Sequence, residues 1–488
     1  MNKTVSLLAA FAFTAAIFVS IIVGQITGNS DHYIVTLSML PILTVLLTIF
    51  ALGDEDTFSP LYLILYLLIL SVFAKTIFLI YLDSGRSKLI SLDGRDLEIL
   101  VRGLVGLMAG ILSLVCGYCV IIRRSVLSRK SFKTVRTQSV RFSNSRPVYN
   151  SQAFVVFLFM VSCIFFICFI WFSVEFNLIS DFMRGVYSAK RIHEDTVGES
   201  YRGSSLGYLR WGAVTLPQVV LLGALALRWV YGKKFAKSVF LLLVFLGVGS
   251  LLIPILTSGR LEMIYLFLMI GMLTHYYKKK FSASKVLLLA LLLVSITGIL
   301  GEARTSQKLG VGVDTWSVSN VIDKVLGSAY FVDIAKTSVV LDTVPESVDY
   351  LYGKSLTLFL IAPIPRSIWP EKPVVRISTF VGEQIYNRPD RSGIPPGFIA
   401  EAYLNFGFPG IISLLFALGI LCGKLYKSTV VHPKSAFSLL WYTVGAVILT
   451  FTLLSGDLTV AVSQAVRYGL VLLVFNRLFV RSSTYLKR

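Results

Sequence analysis

The feature that most constrains this chain is a series of apolar runs, each about twenty residues long, separated by short polar stretches. They fall at about Val5–Thr27, Tyr33–Gly53, Ser59–Leu82, Ile99–Ile122, Ala153–Val174, Ser205–Tyr231, Ser238–Thr257, Leu261–Tyr277, Val286–Gly301, Phe398–Gly423, Ala436–Leu454 and Leu458–Phe479. Twenty helical residues rise about 30 Å, the thickness of a bilayer's hydrocarbon core. Backbone in contact with lipid must satisfy its own hydrogen bonds, which a helix does. The expected fold is therefore all-α: a single integral membrane domain, residues 1–488, with about twelve transmembrane helices. Only 15% of residues are charged, against roughly a quarter in soluble proteins. The first run is long for the apolar part of a signal peptide and shows no cleavage site, so it reads as the first span.

The net charge of +20 then reads as a topological signal, because Lys and Arg collect in cytoplasmic loops. With the N-terminus inside, the inner loops carry Arg123 to Arg146, Lys233 to Lys237, Lys278 to Lys285, Lys424 to Lys434, and Arg477 to Arg488. An odd helix count would place at least one Lys cluster on the wrong side. Both termini are expected in the cytoplasm. One inner turn departs from the pattern: Gly53–Phe58 holds Asp54, Glu55 and Asp56. The basic loop 123–152 reads as an orientation signal with affinity for anionic lipid.

The outer loops differ in chemistry. Segment 175–206 contains Arg184, Lys190, Arg191, His193, Glu194, Asp195 and Arg202. Segment 302–397 is the largest, and its acids and bases nearly balance. Two apolar stretches inside it, Val321–Val340 and Leu356–Ile364, read as amphipathic helices resting at the membrane interface. Ile361–Gly410 is rich in proline, which reads as stiff turns and not helix. Such a segment can hold charged groups still against a charged ligand.

Several familiar patterns fail. Cys116-Gly117-Tyr118-Cys119 has redox spacing but lies inside a predicted span, so its small residues read as packing. The five cysteines all sit in apolar runs and imply no disulfide framework. Gly353-Lys354-Ser355 lacks the leading glycine of a phosphate loop, since position 348 is Val348. No His, Cys or Asp spacing suggests a metal, and no cofactor is expected. Lys75, Arg102 and Arg467 fall inside predicted spans, where a charge should face protein or a polar cavity. Arg467 is the one expected to line an inner cleft.

What remains is a set of arginines and one carboxylate near the outer helix ends. Arg260 follows Ser258-Gly259, Arg304 closes Gly301-Glu302-Ala303-Arg304, Arg366 follows Pro363-Ile364-Pro365, and Arg376 lies ten residues on. A guanidinium forks onto two phosphate oxygens, so several at one face suit a lipid pyrophosphate. Snorkelling to the interface is the other reading of each. Glu401 opens the helix after Pro395-Pro396-Gly397. It reads either as a carboxylate at the positive end of its own helix or as a general base. His193 is the reserve base.

Three stretches carry a resemblance: Ser258-Gly259-Arg260, Pro365-Arg366-Ser367-Ile368-Trp369-Pro370-Glu371-Lys372-Pro373, and Ile399-Ala400-Glu401-Ala402-Tyr403-Leu404-Asn405-Phe406-Gly407 with Gly410. Together with the topology of the whole chain, they resemble the Wzy-type O-antigen polymerases. The resemblance implies a C-type glycosyltransferase fold in the bacterial inner membrane, working at its periplasmic face in O-antigen synthesis. It implies undecaprenyl-pyrophosphate-linked glycans as donor and acceptor, and a chain-length regulator as partner. On this reading Arg260, Arg304 and Arg366 hold the pyrophosphate, with Arg376 and Lys372 assisting, and Glu401 is the base. Trp369, Tyr403 and Asn405 contact the sugars. An O-antigen ligase is the nearest rival, although the long loop lacks the catalytic His implied for ligases. A lipid-linked oligosaccharide flippase is the rival from another class; no internal repeat favours it.

Overall fold

The computed structural model describes residues 31–77, 96–126, 151–175, 177–179, 209–231, 236–256, 260–293, 295, 334–362, 364, 368, 369, 371, 373, 376–387, 393–433 and 437–479. Within these residues the protein is helical throughout, with no strand. In chain order the helices are α1 (Asp31–Leu52), α2 (Pro60–Ile77), α3 (Asp96–Val126), α4 (Ser151–Glu175), α5 (Trp211–Val230), α6 (Lys237–Leu256) and α7 (Arg260–Tyr277). There follow α8 (Ala283–Leu293), α9 (Ile334–Thr343), α10 (Lys354–Ile361), α11 (Ile377–Gln384), α12 (Phe398–Tyr426), α13 (Ser438–Ser455) and α14 (Leu458–Phe479). Eight of the described helices are long and apolar enough to cross a membrane. The run Val5–Thr27 lies outside the described residues; each later run contains a described helix.

α4 shows why these are membrane helices. Phe154, Leu158, Val161, Phe165 and Phe172 form a buried stripe at helical spacing. Its other face exposes Val156, Phe159, Ile167 and Trp171. A helix apolar on every side needs lipid on the side that protein does not cover.

The closest helix pair is α3 with α12. A Cβ added to Gly117 would lie 2.1 Å from the Phe416 carbonyl oxygen, and one on Gly419 would lie 2.0 Å from that of Leu114. Only glycine lets the two backbones approach this far, a recurrent solution where helices associate in lipid. Gly117 of the Cys-X-X-Cys pattern is thus a packing residue, and Cys116 and Cys119 form no disulfide.

Two expectations for the long loop are corrected. Of the stretch Val321–Val340, residues 321–333 lie outside the described residues; Ile334 to Leu341 of α9 are all buried, packed between α3 and α12, so this part does not rest at an interface. Arg102 of α3 reaches it through a 3.1 Å ion pair with Asp342. The proline-rich segment is not turns alone, because α11 forms in the proline-free stretch between Pro373 and Pro389. Lys75, at 3% exposure, faces protein, whereas Arg467 is exposed on α14 beside Val466.

The acidic inner turn has a structural explanation. Asp56 accepts hydrogen bonds from Tyr276 of α7 (2.8 Å) and Tyr426 of α12 (2.9 Å), and its other oxygen lies 3.4 Å from His275 Nε2. Asp54 accepts from Ser59 Oγ at 2.5 Å. Tyr442 of α13 donates to the Phe58 carbonyl at 2.6 Å. Asp56 therefore acts as an internal tie between helices, Asp54 braces the turn through Ser59 and the Asp56 N–H, and of the three acids only Glu55 is exposed.

Candidate active site

α12 is broken in its third turn, and the break builds the site. Pro409 lacks an N–H and its ring opposes the carbonyl of Asn405, four residues back. The chain answers with non-helical geometry at Phe406 and Gly407, where Gly407 takes φ 63° and ψ −151°. That conformation is closed to most residues with a side chain. The carbonyls of Leu404 and Asn405 are then free of helix partners. They accept instead from the backbone N–H of Leu351 (2.8 Å) and Tyr352 (3.1 Å). The kink thereby fastens the start of α10 against the first turns of α12.

Glu401 sits inside this junction at 1% exposure. Its Oε1 accepts from Ser355 Oγ of α10 at 3.1 Å, and its Oε2 accepts from the backbone N–H of Leu458 at 3.1 Å. The carboxylate therefore meets the positive end of α14, not that of its own helix. Asp457 caps the same terminus by accepting from the Val460 N–H at 3.1 Å. Asn405, fully buried, donates to Ser355 Oγ at 2.7 Å and accepts from the Gly353 N–H at 3.0 Å. Tyr403 is also buried, edge-on to Tyr350 and Phe408, with its hydroxyl on the Val344 carbonyl. Asn405 thus holds Ser355, the partner of the carboxylate, while Tyr403 packs against Tyr350 and Phe408; sequence reasoning expected both to contact sugars.

Helix directions place Arg260 relative to this junction. Tyr276, near the end of α7, lies edge-on to Tyr442, near the start of α13. α13 ends beside Leu458, where Glu401 binds. The two helices are antiparallel, so the first residue of α7, Arg260, lies at the Glu401 end of the bundle. Asp56 and His275 mark the opposite end, roughly 20 Å away along α13. Exposed Lys278, Lys279, Lys280 and Lys424 gather at that opposite end.

Other expected residues are placed less fully. Arg376 precedes α11 in extended conformation. Trp369 is exposed. Arg304, Arg366, Lys372 and His193 lie outside the described residues. Sequence reasoning missed Ser355 as the partner of Glu401, and missed the Arg210–Glu262 ion pair (2.6 Å) joining the approach to α5 with the first turn of α7. Glu262 stands two residues after Arg260, which was a signal. Nothing local to Ser355 announces a partner 46 residues on.

Fold and junction together define a polytopic helical membrane protein with a buried carboxylate and an arginine-initiated helix at one end. Residues 8–487 match the O-antigen polysaccharide polymerase Wzy family, and the chain belongs to it. It is accordingly a glycosyltransferase that polymerises lipid-linked repeat units in the membrane, in O-antigen and lipopolysaccharide synthesis. Family membership displaces the ligase and flippase readings. No curated protein and no solved structure matches the chain significantly.

Proposed function

We propose that polymerisation takes place at the Glu401 end of the bundle, on the periplasmic side, with undecaprenyl-pyrophosphate-linked glycans as donor and acceptor. The observation that carries this reading is the separation of the two ends: Arg260 and Glu401 share one, and Lys278 to Lys280 crowd the other. Under the positive-inside rule the lysine end is cytoplasmic. Twelve spans then leave both termini cytoplasmic and segment 302–397 periplasmic, in the manner of a C-type glycosyltransferase.

The acceptor's terminal sugar hydroxyl attacks the anomeric carbon of the donor's reducing-end sugar. The bond from that carbon to the pyrophosphate oxygen breaks, and the lipid pyrophosphate leaves with the electron pair. The leaving group is already activated, so the step needs no ATP. Arg260, Arg304 and Arg366 neutralise its charge, assisted by Arg376 and Lys372. Glu401 takes the hydroxyl proton. Each of its oxygens has two acceptor positions and has filled one, with Ser355 and with Leu458. His193 is the reserve base. Trp369 offers an exposed ring for stacking on a sugar, and Tyr403 is the second ring for that role; Asn405, the other residue assigned to sugar contact, also holds Ser355 beside the carboxylate. A chain-length regulator is the expected protein partner.

The test is a gel of surface glycolipid from cells carrying Arg260→Ala or Arg366→Ala, with membrane-inserted protein quantified alongside. Lipid core bearing a single repeat unit, with the ladder lost at normal protein level, is the expected result. A full ladder in both variants would remove the pyrophosphate-holding role.

A further inference from the structure

The amide of Asn405 can be oriented from its partners. The Gly353 backbone N–H can only donate, so the Asn405 atom 3.0 Å from it is the oxygen. Nδ2 then faces Ser355 Oγ at 2.7 Å and the Glu401 carbonyl at 2.8 Å. Ser355 Oγ is an acceptor on that side, so its single hydrogen goes to Glu401 Oε1 at 3.1 Å. The series runs one way: Gly353 N–H to Asn405, Asn405 to Ser355, Ser355 to Glu401. Ser355, Asn405 and Glu401 are 2%, 0% and 1% exposed, so water does not compete for the hydroxyl.

The other carboxylate oxygen is held from a different element, by the Leu458 N–H of α14. α10 and α14 pack directly on one another. Two donors on mutually braced helices fix the plane of the carboxylate and hence the direction of its two unfilled acceptor positions. A general base works only when aimed at the proton it removes, within hydrogen-bond reach. Without the Ser355 hydroxyl the carboxylate can turn about its last torsion, which is soft.

We infer that Ser355 is a positioning residue for Glu401, aiming the carboxylate at the acceptor hydroxyl; this rests on the base role proposed above. Ser355 is the second residue of α10, where alanine and threonine both keep the helix.

The test uses the purified full chain with a lipid-linked repeat unit as substrate, following turnover and KM across pH. Ser355→Ala is expected to lower kcat about tenfold with KM within about twofold, and to displace the acid limb of the pH–rate profile. Ser355→Thr, which keeps the hydroxyl, is expected to restore both. If Ser355→Ala fails to accumulate, Ser355→Cys carries the same expectation with a weaker donor. A uniform loss of rate with the profile unmoved would make Ser355 purely structural and overturn the inference. Glu401→Gln separates the two levels. If it retains full polymerisation, the base role itself fails. If it is inactive while Ser355→Ala keeps the normal profile, only the positioning inference fails.

Discussion

His275 Nε2 lies 3.4 Å from Asp56 Oδ1, joining the end of α7 to the turn between α1 and α2. The Phe281 backbone N–H donates to His275 Nδ1 at 2.9 Å, which assigns the ring's proton to Nε2 and aims it at the carboxylate. Tyr276 and Tyr426 donate to the second oxygen, so one aspartate gathers α7, α12 and the α1–α2 turn.

Replacing Asp56 strands several buried donors at once. An unsatisfied buried group costs about 1–3 kcal/mol. Asp56→Leu is expected to lower stability by at least about 3 kcal/mol, and Asp56→Asn by less, since its carbonyl still accepts. Thermal unfolding in detergent measures both; equal stability of Asp56→Leu and the parent would contradict the tie.

The same turn makes stability depend on pH. Burial, reinforced by neighbouring Asp56, raises the Asp54 carboxyl to about 7. For Asp56, burial pushes upward, but the hydrogen bonds from His275, the Phe58 N–H and Tyr276 outweigh it and hold its carboxyl below the usual value. Asp54, raised in the fold, contributes stability that is complete below the unfolded value of 3.8 and is lost as pH rises through about 7. Asp56, depressed in the fold, contributes above that unfolded value and loses its contribution as pH falls through its folded value. Asp54→Asn is expected to flatten the decline between about pH 4 and pH 7, read as unfolding temperature against pH.

The α3–α12 contact leaves no room for a side chain. Gly117→Leu and Gly419→Leu are each expected to prevent accumulation of folded protein, because the added atoms meet backbone and not a movable side chain. Gly271, whose nearest neighbour is a leucine methyl at 3.3 Å, is the control: Gly271→Ala is expected to be nearly neutral. Size-exclusion profiles of fluorescently tagged variants distinguish these outcomes.

At Gly407 the obstacle is conformation. An alanine there must adopt φ 63° and ψ −151° and would bring its Cβ within 3.1 Å of the Tyr350 hydroxyl. The expected cost is about 1–3 kcal/mol. Because the kink frees the carbonyls that hold the start of α10, Gly407→Ala is also expected to shorten or abolish the glycan ladder at normal protein level. A full ladder would show that the site tolerates a different bend.

Much of the chain was legible before any coordinates. Runs of about twenty apolar residues marked the eight described helices long and apolar enough to cross a membrane, because lipid forces each helix to be complete in itself, a local property. Lysines marked one end of the bundle, as at Lys278 to Lys280, because charge near a membrane is sorted by side and not by tertiary contact. Asn405, Gly407 and Pro409 could be picked out, since proline and glycine act on their own few residues.

The hydrogen-bond partners of Asp56, Ser355 and Asn405 were decided only by tertiary structure. Asp56 looked like a misplaced topological charge and is a part-buried acceptor for residues 220 and 370 positions away. Ser355 looked like a broken phosphate-loop ending and is the donor that meets Glu401. Hydrophobic period and positive charge are readable in sequence because each residue meets its solvent, lipid or water, independently. A buried hydrogen bond is a property of a pair, and which pair forms depends on where the helices bring distant residues together.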